Sequence, residues 1–255
     1  MNPDLDVGRR WLAANGPPGR VVLCAVTGSH LYGFPSPDSD LDLNGIHLGP
    51  TRELLGLGEK SAAHDAVGWS DGIECDLTTN EVGDAIRLLL HGNGNMLERI
   101  LSPWQLVTGT EIGELAGLAH GCLSRRFANH YGGFFRGRCA EHERHPTAKS
   151  LLYSWRVALT GRHLLRAGEL VADLGLLADL YARPELHDLI DAKRDGGEHC
   201  LPPADLDRHL RALWPELGAA LTDAENQSSL PYEANRPEIE EWVVRGRIAG
   251  LDSYA

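Results

Sequence analysis

The chain is short of cysteine, of long apolar runs and of positive charge. Its five cysteines are an odd number, scattered at positions 24, 75, 122, 139 and 200 with no CxxC pair. This pattern disfavours a disulfide framework and a zinc ribbon, and it fits a reducing compartment. No apolar run approaches the ~20 residues that a membrane-spanning helix needs. The first residues also lack the basic-then-apolar order of a signal peptide, so we expect a cytoplasmic protein with no membrane partner.

The shortage of positive charge limits the partners of the chain. Lys and Arg number 24 against 36 Asp and Glu, which gives a formal net charge of -12. Such a chain has no global basic field, so extended nonspecific binding to nucleic acid is not expected, although a local basic groove is compatible with this charge. Its 255 residues are enough to bury a core as one large domain or two small ones.

A phosphate-binding turn is predicted at Gly28 and Ser29. The apolar, β-branched stretch from Val21 to Val26 is typical of a buried strand, and it runs into Thr27 and then this Gly-Ser pair. Glycine lets the backbone turn and approach a ligand closely. A serine hydroxyl beside main-chain N–H groups suits triphosphate oxygens.

Two carboxylates follow shortly after this turn. Along a strand, Leu41 and Leu43 would point into a core, while Asp40 and Asp42 would point together to the other side. Neighbouring like charges repel unless a cation neutralises them, and paired carboxylates are what Mg²⁺ or Mn²⁺ accepts while it also holds phosphates. We therefore predict that Asp40 and Asp42 hold a divalent metal.

A third carboxylate, Asp76, stands on a later predicted strand. It alternates with Ile73, Cys75 and Leu77 and shares its face with Glu74. A two-metal site needs such a carboxylate from a neighbouring strand, so we predict that Asp76 holds the second metal, on the side of the nucleophile. An Asp-x-Asp tripeptide alone is commonly a solvated turn. The preceding strand, the Gly-Ser pair, the spacing and the third carboxylate together favour catalysis.

These residues resemble the DNA polymerase β-like nucleotidyltransferase superfamily, and more narrowly the predicted nucleotidyltransferases associated with RNA ligase and RNA repair. The resemblance implies a metal-dependent enzyme that transfers NMP from an NTP, ATP or another, and releases pyrophosphate. It is carried by residues 28–33 with 39–42, by residues 88–98, and by residues 149–156 running on to 161–162.

The predicted fold class is α+β, with a change of character near residue 105. Residues 1–105 are interpreted as a mixed-sheet nucleotidyltransferase catalytic domain, and residues 106–255 as a helical substrate-binding domain. The elements expected in the first part are a helix to about Asn15, a strand to Thr27, the Asp-bearing strand to Leu48, a possible hairpin strand near residues 67–69, the Asp76 strand, and a helix at about residues 80–91.

Basic residues in the helical part are candidates for substrate contacts. Lys149 and Arg156 are seven residues apart and would share a helix face; with the support of the resemblance, we assign both to the nucleotide phosphates. His130, Arg136 and Arg138 are candidates for binding the acceptor by stacking and charge. The alternative for that stretch is a helix with an aromatic core stripe and a solvated basic side.

Three functions remain open from the sequence. The first is nucleotide addition to an RNA 3′ end during repair, which the resemblance favours and the net charge of -12 disfavours. The second is nucleotidylation of a small-molecule or protein hydroxyl. The third is a catalytically silent nucleotide-binding sensor, which an intact set of three carboxylates disfavours.

Overall fold

A computed structural model describes residues 2–57 and 63–252 of the chain. The strands within these ranges are β1 (Arg20–Val26), β2 (Leu41–Leu48), β3 (Ala63–Ser70) and β4 (Ile73–Glu81). The helices are α1 (Leu5–Asn15), α2 (Gly28–Leu31), α3 (Thr51–Leu55), α4 (Val82–Leu90), α5 (Gly94–Leu101), α6 (Thr110–Gly121), α7 (Phe127–Arg144), α8 (Ala148–Ala167), α9 (Leu174–Leu180), α10 (Glu185–Gly196), α11 (Ala204–Ala212), α12 (Trp214–Asn226) and α13 (Arg236–Asp252).

The four strands form one mixed sheet in the order β1-β2-β4-β3. The pair β1–β2 is antiparallel, β2–β4 is parallel, and β3–β4 is antiparallel. The mixed sheet and the helical remainder confirm the predicted α+β class. The parallel pair is central and β1 and β3 are the edges, so β2 and β4 lie side by side although the whole of β3 separates them in the chain.

One face of the sheet carries the hydrophobic core, because buried residues alternate with more exposed ones along β4 and in the first half of β2. Helix α1 packs on this face, and its first N–H groups are capped by the Asp4 carboxylate. The buried residues of this core are Val7, Leu12, Cys24, Val26, Leu41, Leu43, Cys75, Leu77 and Leu106.

Strand β3 confirms the predicted hairpin. It is joined to β4 by Asp71 and Gly72, whose φ angles of +49° and +80° are both positive. A two-residue turn with this geometry matches the twist of antiparallel strands, and Asp-Gly is a preferred pair for it. The ion pair of Asp71 with Arg10 links the turn to α1.

Helix α4 begins later than predicted. The sequence pattern favours a helix from about Asn80, but β4 continues through Glu81 because Asn80 pairs with Ile46 and Glu81 with His47 in the parallel ladder. The Glu81 carboxylate then accepts a hydrogen bond of 2.8 Å from the Gly83 N–H. Glu81 thus ends the strand and caps the helix.

The chain divides into two compact units. The sheet unit contains residues 2–28, 40–123 and 233–252, and the helical unit contains residues 29–39 and 124–232. Whether residues 1–105 and 106–255 fold as separate domains stays a prediction. In neither of the described ranges does a helix combine the length and apolarity needed to cross a bilayer.

The core of the helical unit lies between α7 and α8. Phe127, Tyr131 and Phe135 of α7 are buried at a spacing of four residues, and Trp155 of α8 is fully buried with them. Helix α8 begins with a capping box at Thr147.

Candidate active site

Asp42 and Asp76 lie directly opposite each other on neighbouring strands. In the parallel pairing of β2 and β4, Asp42 is in register with Asp76, between the buried pairs Leu41–Cys75 and Leu43–Leu77. Strands in a sheet are about 4.8 Å apart, and residues in register point to the same face. The two carboxylates therefore share the face opposite the hydrophobic core.

Asp40 stands just before β2 rather than within it, one position ahead of the buried Leu41. Burial, and then the negative charges of Asp40 and Asp65, raise the pKa of the Asp76 carboxyl above its ordinary value. Within the described part of the sheet unit, neither Asp40 nor Asp76 forms an ion pair with Lys or Arg. The site therefore concentrates negative charge that a bound cation would relieve.

Gly28 lies against Asp42. Its φ of +60° is in the left-handed region, and a Cβ at this position would lie 2.6 Å from Cγ of Asp42. The N–H of Thr27 donates a hydrogen bond of 2.9 Å to the backbone carbonyl of Asp42. Only glycine fits here without displacing the carboxylate. The predicted phosphate turn and the predicted metal ligand are thus direct neighbours.

Ser29 follows Gly28 in the first turn of α2, so the predicted turn is helical. Its side chain is 1% exposed, and its hydroxyl has no hydrogen-bond partner in the described ranges. A buried hydroxyl normally has a partner, because desolvation without one is costly. The orphaned Oγ is consistent with a polar ligand at this turn.

Sequence reasoning missed Arg99, a buried arginine on α5. Its guanidinium donates to the carbonyl of Gly45 at 2.9 Å, to Oδ1 of Asn80 at 2.7 Å and to Oδ1 of Asn44 at 3.0 Å. Arg99 therefore joins β2 to β4 on the face that carries Asp42. The available signal was an arginine in a short amphipathic helix that also carries Met96, Leu97 and Ile100.

The amide of Asn44 extends this network to the turn. Its Nδ2 donates a hydrogen bond of 2.7 Å to Oγ1 of Thr27, the residue before Gly28. Hydrogen bonds among buried polar side chains restrict the positions of the segments that carry them. We infer that Arg99 and Asn44 fix the turn and β2 relative to each other.

Lys149 and Arg156 lie on α8 in the helical unit, and Tyr153 stands between them. Lys149 forms an ion pair of 2.5 Å with Glu198. Arg156 is buried, with its guanidinium carbon 3.8 Å from the centre of the Tyr32 ring, a cation–π contact. Both residues are therefore held by side chains of their own unit, and their assignment to the nucleotide stays a prediction.

The three predicted acceptor residues of α7 do not form one group. His130 stacks on Phe134 at 4.3 Å between ring centres, and Arg136 is exposed. Arg138 forms an ion pair of 2.5 Å with Glu141. It lines a cavity of about 360 Å³ together with Lys149, so the structure joins Arg138 to a residue predicted for the nucleotide.

Within residues 2–57 and 63–252, no group of three or more His, Cys, Asp or Glu side chains could hold a metal ion by itself. Mg²⁺ rarely uses an all-protein cage and is usually held by one or two carboxylates together with substrate phosphates. Asp42 and Asp76 in register, with Asp40 nearby and a phosphate turn beside them, fit that second kind of site.

Comparisons with known proteins place the chain in a family. The sequence pattern of the RNA repair pathway DNA polymerase beta family matches residues 12–245. An uncharacterized protein of Methanocaldococcus jannaschii is 28% identical over 217 residues, which are 82% of this chain and 86% of that protein. A nucleotidyltransferase-like protein from Exiguobacterium sibiricum aligns with a TM-score of 0.35 and 11% identity over 88% of this chain and 75% of its own. Because the family match covers most of the chain and confirms the resemblance seen in its motifs, the chain belongs to the RNA repair pathway DNA polymerase beta family.

Proposed function

We propose that the chain is a divalent-metal-dependent nucleotidyltransferase that moves NMP from an NTP to an acceptor hydroxyl, with an RNA 3′ end as the favoured acceptor. The observation that carries this proposal is the in-register pair of Asp42 and Asp76, with Gly28 directly against Asp42. The family supports the reaction class and the RNA repair context.

Each residue has a separate task in the proposed mechanism. Asp40 and Asp42 would hold Mg²⁺ or Mn²⁺ on the triphosphate side, and Asp76 would hold the metal on the acceptor side. Bound divalent metal neutralises the charge of the phosphates and lowers the pKa of the acceptor hydroxyl. The amides at Gly28 and the hydroxyl of Ser29 orient the β- and γ-phosphates.

In the proposed reaction, the acceptor oxygen forms a bond to the α-phosphorus while the bond from that phosphorus to pyrophosphate breaks. Pyrophosphate leaves with the electron pair, and the hydroxyl proton passes to solvent. The contribution of the protein is positioning and charge neutralisation, and no covalent enzyme intermediate is required.

The decisive experiment measures transfer of labelled NTP to RNA, protein and small-molecule acceptors in Mg²⁺. Asp42→Asn should abolish transfer without lowering the melting temperature. Asp84→Asn is the matched control, because it makes the same change at a partly exposed carboxylate of the sheet unit, whose ion pair with Arg87 lies within α4. Undiminished transfer by a folded Asp42→Asn variant would overturn the mechanism, and nucleotide binding without transfer by the wild type would favour the sensor.

The second candidate function is nucleotidylation of a small molecule or a protein hydroxyl. It is favoured by the net charge of -12 and by the carboxylates of Glu74 and Asp65 on the same face as Asp76.

A salt titration of RNA binding separates the two candidate functions. If the acceptor is RNA, binding should weaken with salt at a shallow slope, because few phosphates are neutralised and each releases about one counterion. Arg136→Gln and Lys149→Gln should weaken RNA binding more than they change the melting temperature. Transfer to a small molecule with no RNA binding at low salt would select this second candidate.

A further inference from the structure

The face that carries Asp42 and Asp76 continues onto the edge strand β3. In the antiparallel pairing of β3 and β4, Val67 lies opposite Asp76, and Trp69 lies opposite Glu74. A row of three residues in register, Asp42, Asp76 and Val67, therefore crosses the sheet. Val67 and Trp69 are 63% and 68% exposed, so two large apolar side chains form an exposed apolar patch on the face that carries Asp76.

The distance between Trp69 and Asp76 is close to the length of a nucleoside. The two residues are diagonal neighbours on adjacent strands, about 7–8 Å apart, a separation that an aromatic side chain can bridge. A nucleoside has similar dimensions, from its sugar hydroxyl to the far edge of its base. A hydroxyl at Asp76 would therefore place an attached base near the Trp69 ring.

Strand β3, which carries Trp69, is held by contacts with α1. On the core face, the backbone of Gly68 lies against the indole of Trp11, since a Cβ at Gly68 would meet that ring. The hairpin turn is also tied to α1 by the ion pair of Arg10 with Asp71. An exposed ring on a fixed strand loses little conformational freedom when a planar group stacks on it.

The charges beside the ring select the kind of group that binds. Glu74 lies opposite Trp69, and Asp65 lies on the same face on the other side of Val67, so carboxylates flank the apolar pair and disfavour phosphates there. A neutral planar ring is not repelled, and stacking on an aromatic side chain accepts any base. The observations therefore favour a nucleobase at Trp69, with the phosphates of the RNA strand bound at another place.

We propose that Trp69, flanked by Val67, is the stacking platform for the terminal base of the acceptor, which holds the terminal sugar hydroxyl at Asp76. This inference rests on the proposed transfer to an RNA 3′ end. It adds an acceptor contact in the sheet unit to the basic residues predicted in α7. Trp69 acts by binding, and Val67 only supports the platform.

The test compares two RNA acceptors that differ in one base. One is a short single-stranded oligonucleotide, and the other is the same strand with an abasic 3′-terminal residue that keeps its hydroxyls. Wild type should show a KM roughly 5- to 150-fold lower for the base-bearing strand, because one stacked base contributes on this scale. Trp69→Ala should lose this preference by raising only the KM of the base-bearing strand, while Trp69→Phe keeps most of it. The KM for NTP should not change.

The control is Tyr232→Ala, which removes another exposed aromatic side chain, one that lies in the helical unit. Equal KM values for the base-bearing strand in wild type and a folded Trp69→Ala variant would overturn the platform while leaving the proposed transferase intact. The platform also fails if the wild type does not distinguish the two strands. Absence of NMP transfer from wild type to any RNA would instead overturn the proposed RNA acceptor, and the platform with it.

Discussion

Asp42 of β2 and Asp76 of β4 are paired residue to residue across the parallel centre of the sheet. Two carboxylates in this position repel each other in the absence of a cation, and each is kept at the site by buried neighbours before and after it in its strand. The fold thus maintains an unfavourable local charge. Such a concentration of like charge is typical of sites built to bind metal and phosphate.

The first prediction concerns the stability of the metal-free protein. The pKa of Asp76 is raised in the folded state, by burial first and then by Asp40 and Asp65. A raised pKa means that the contribution of this carboxyl to stability is present below its unfolded pKa and is lost as pH rises through the folded pKa. Asp76→Asn should therefore raise the melting temperature in EDTA at neutral pH, and the gain should shrink in acid.

Melting curves with and without Mg²⁺ check this prediction. Mg²⁺ together with a non-hydrolysable NTP should stabilise the wild type by binding the folded state, because the substrate phosphates complete the metal site, and it should stabilise Asp76→Asn much less. Glu74→Gln, on the same strand and face, is the control and should keep the response to Mg²⁺. A lower melting temperature of Asp76→Asn in EDTA at neutral pH would contradict the prediction.

The second prediction concerns Gly28. Gly28→Ala should reduce NMP transfer by about a hundredfold, because the new methyl group must displace the Asp42 carboxylate and small displacements at a reacting centre have effects of this size. It should also destabilise the fold, since alanine is strained at a φ of +60°.

Gly72→Ala separates these two effects. Gly72 has a φ of +80°, but a Cβ there would meet nothing within 4 Å. Both variants should therefore melt at lower temperature by similar backbone strain, while only Gly28→Ala loses transfer. Equal activity of the two variants at a temperature where both are folded would show that contact with Asp42 does not matter.

The third prediction concerns a buried ion pair in the helical unit. Lys193 is fully buried, and its ammonium donates to Glu198 at 2.6 Å, to Ser36 at 2.8 Å and to Ser39 at 3.0 Å. These contacts hold the loop that directly precedes Asp40 in the chain. Glu198→Gln should lower the free energy of unfolding by about 3–5 kcal/mol, because it leaves the Lys193 charge buried without its partner.

The pKa of Glu198 also defines a pH range in which the protein should lose stability. Burial alone would raise the pKa of Glu198, but hydrogen bonds from Lys149, Lys193 and Ser39 lower it from 4.5 to about 2. Its stabilising contribution is therefore complete above the unfolded value of 4.5 and is lost as pH falls toward about 2.

Urea unfolding across this pH range checks the prediction. The wild type should lose stability in this window, and Glu198→Gln should lose less. Lys149→Met is the control, because Lys149 is the partly exposed partner of Glu198 and its loss should destabilise the protein less than the loss of the carboxylate. A wild-type stability that does not change between pH 4.5 and pH 2 would rule out this role of the pair.

Local sequence patterns were sufficient to predict much of the sheet. Alternation around Asp42 and Asp76 predicted which side chains share a face, because a strand has a side-chain period of two whatever its neighbours are. The apolar run ending at Gly28 predicted β1 and the turn. The end of β4 was predicted wrongly, because pairing of Asn80 and Glu81 with β2 is a long-range contact that local helix signals do not contain.

The order of residues in the chain determined the local features of this protein: a Gly-Ser turn, alternating carboxylates and apolar residues, and α+β content are local properties of the sequence. Tertiary structure alone decided that Asp42 and Asp76 are in register, that Gly28 abuts Asp42, that Arg99 joins the two central strands, and that Trp69 lies exposed on the same face. The physical reason is that register and strand order depend on contacts between segments far apart in the chain, and no local period records which strand lies beside which.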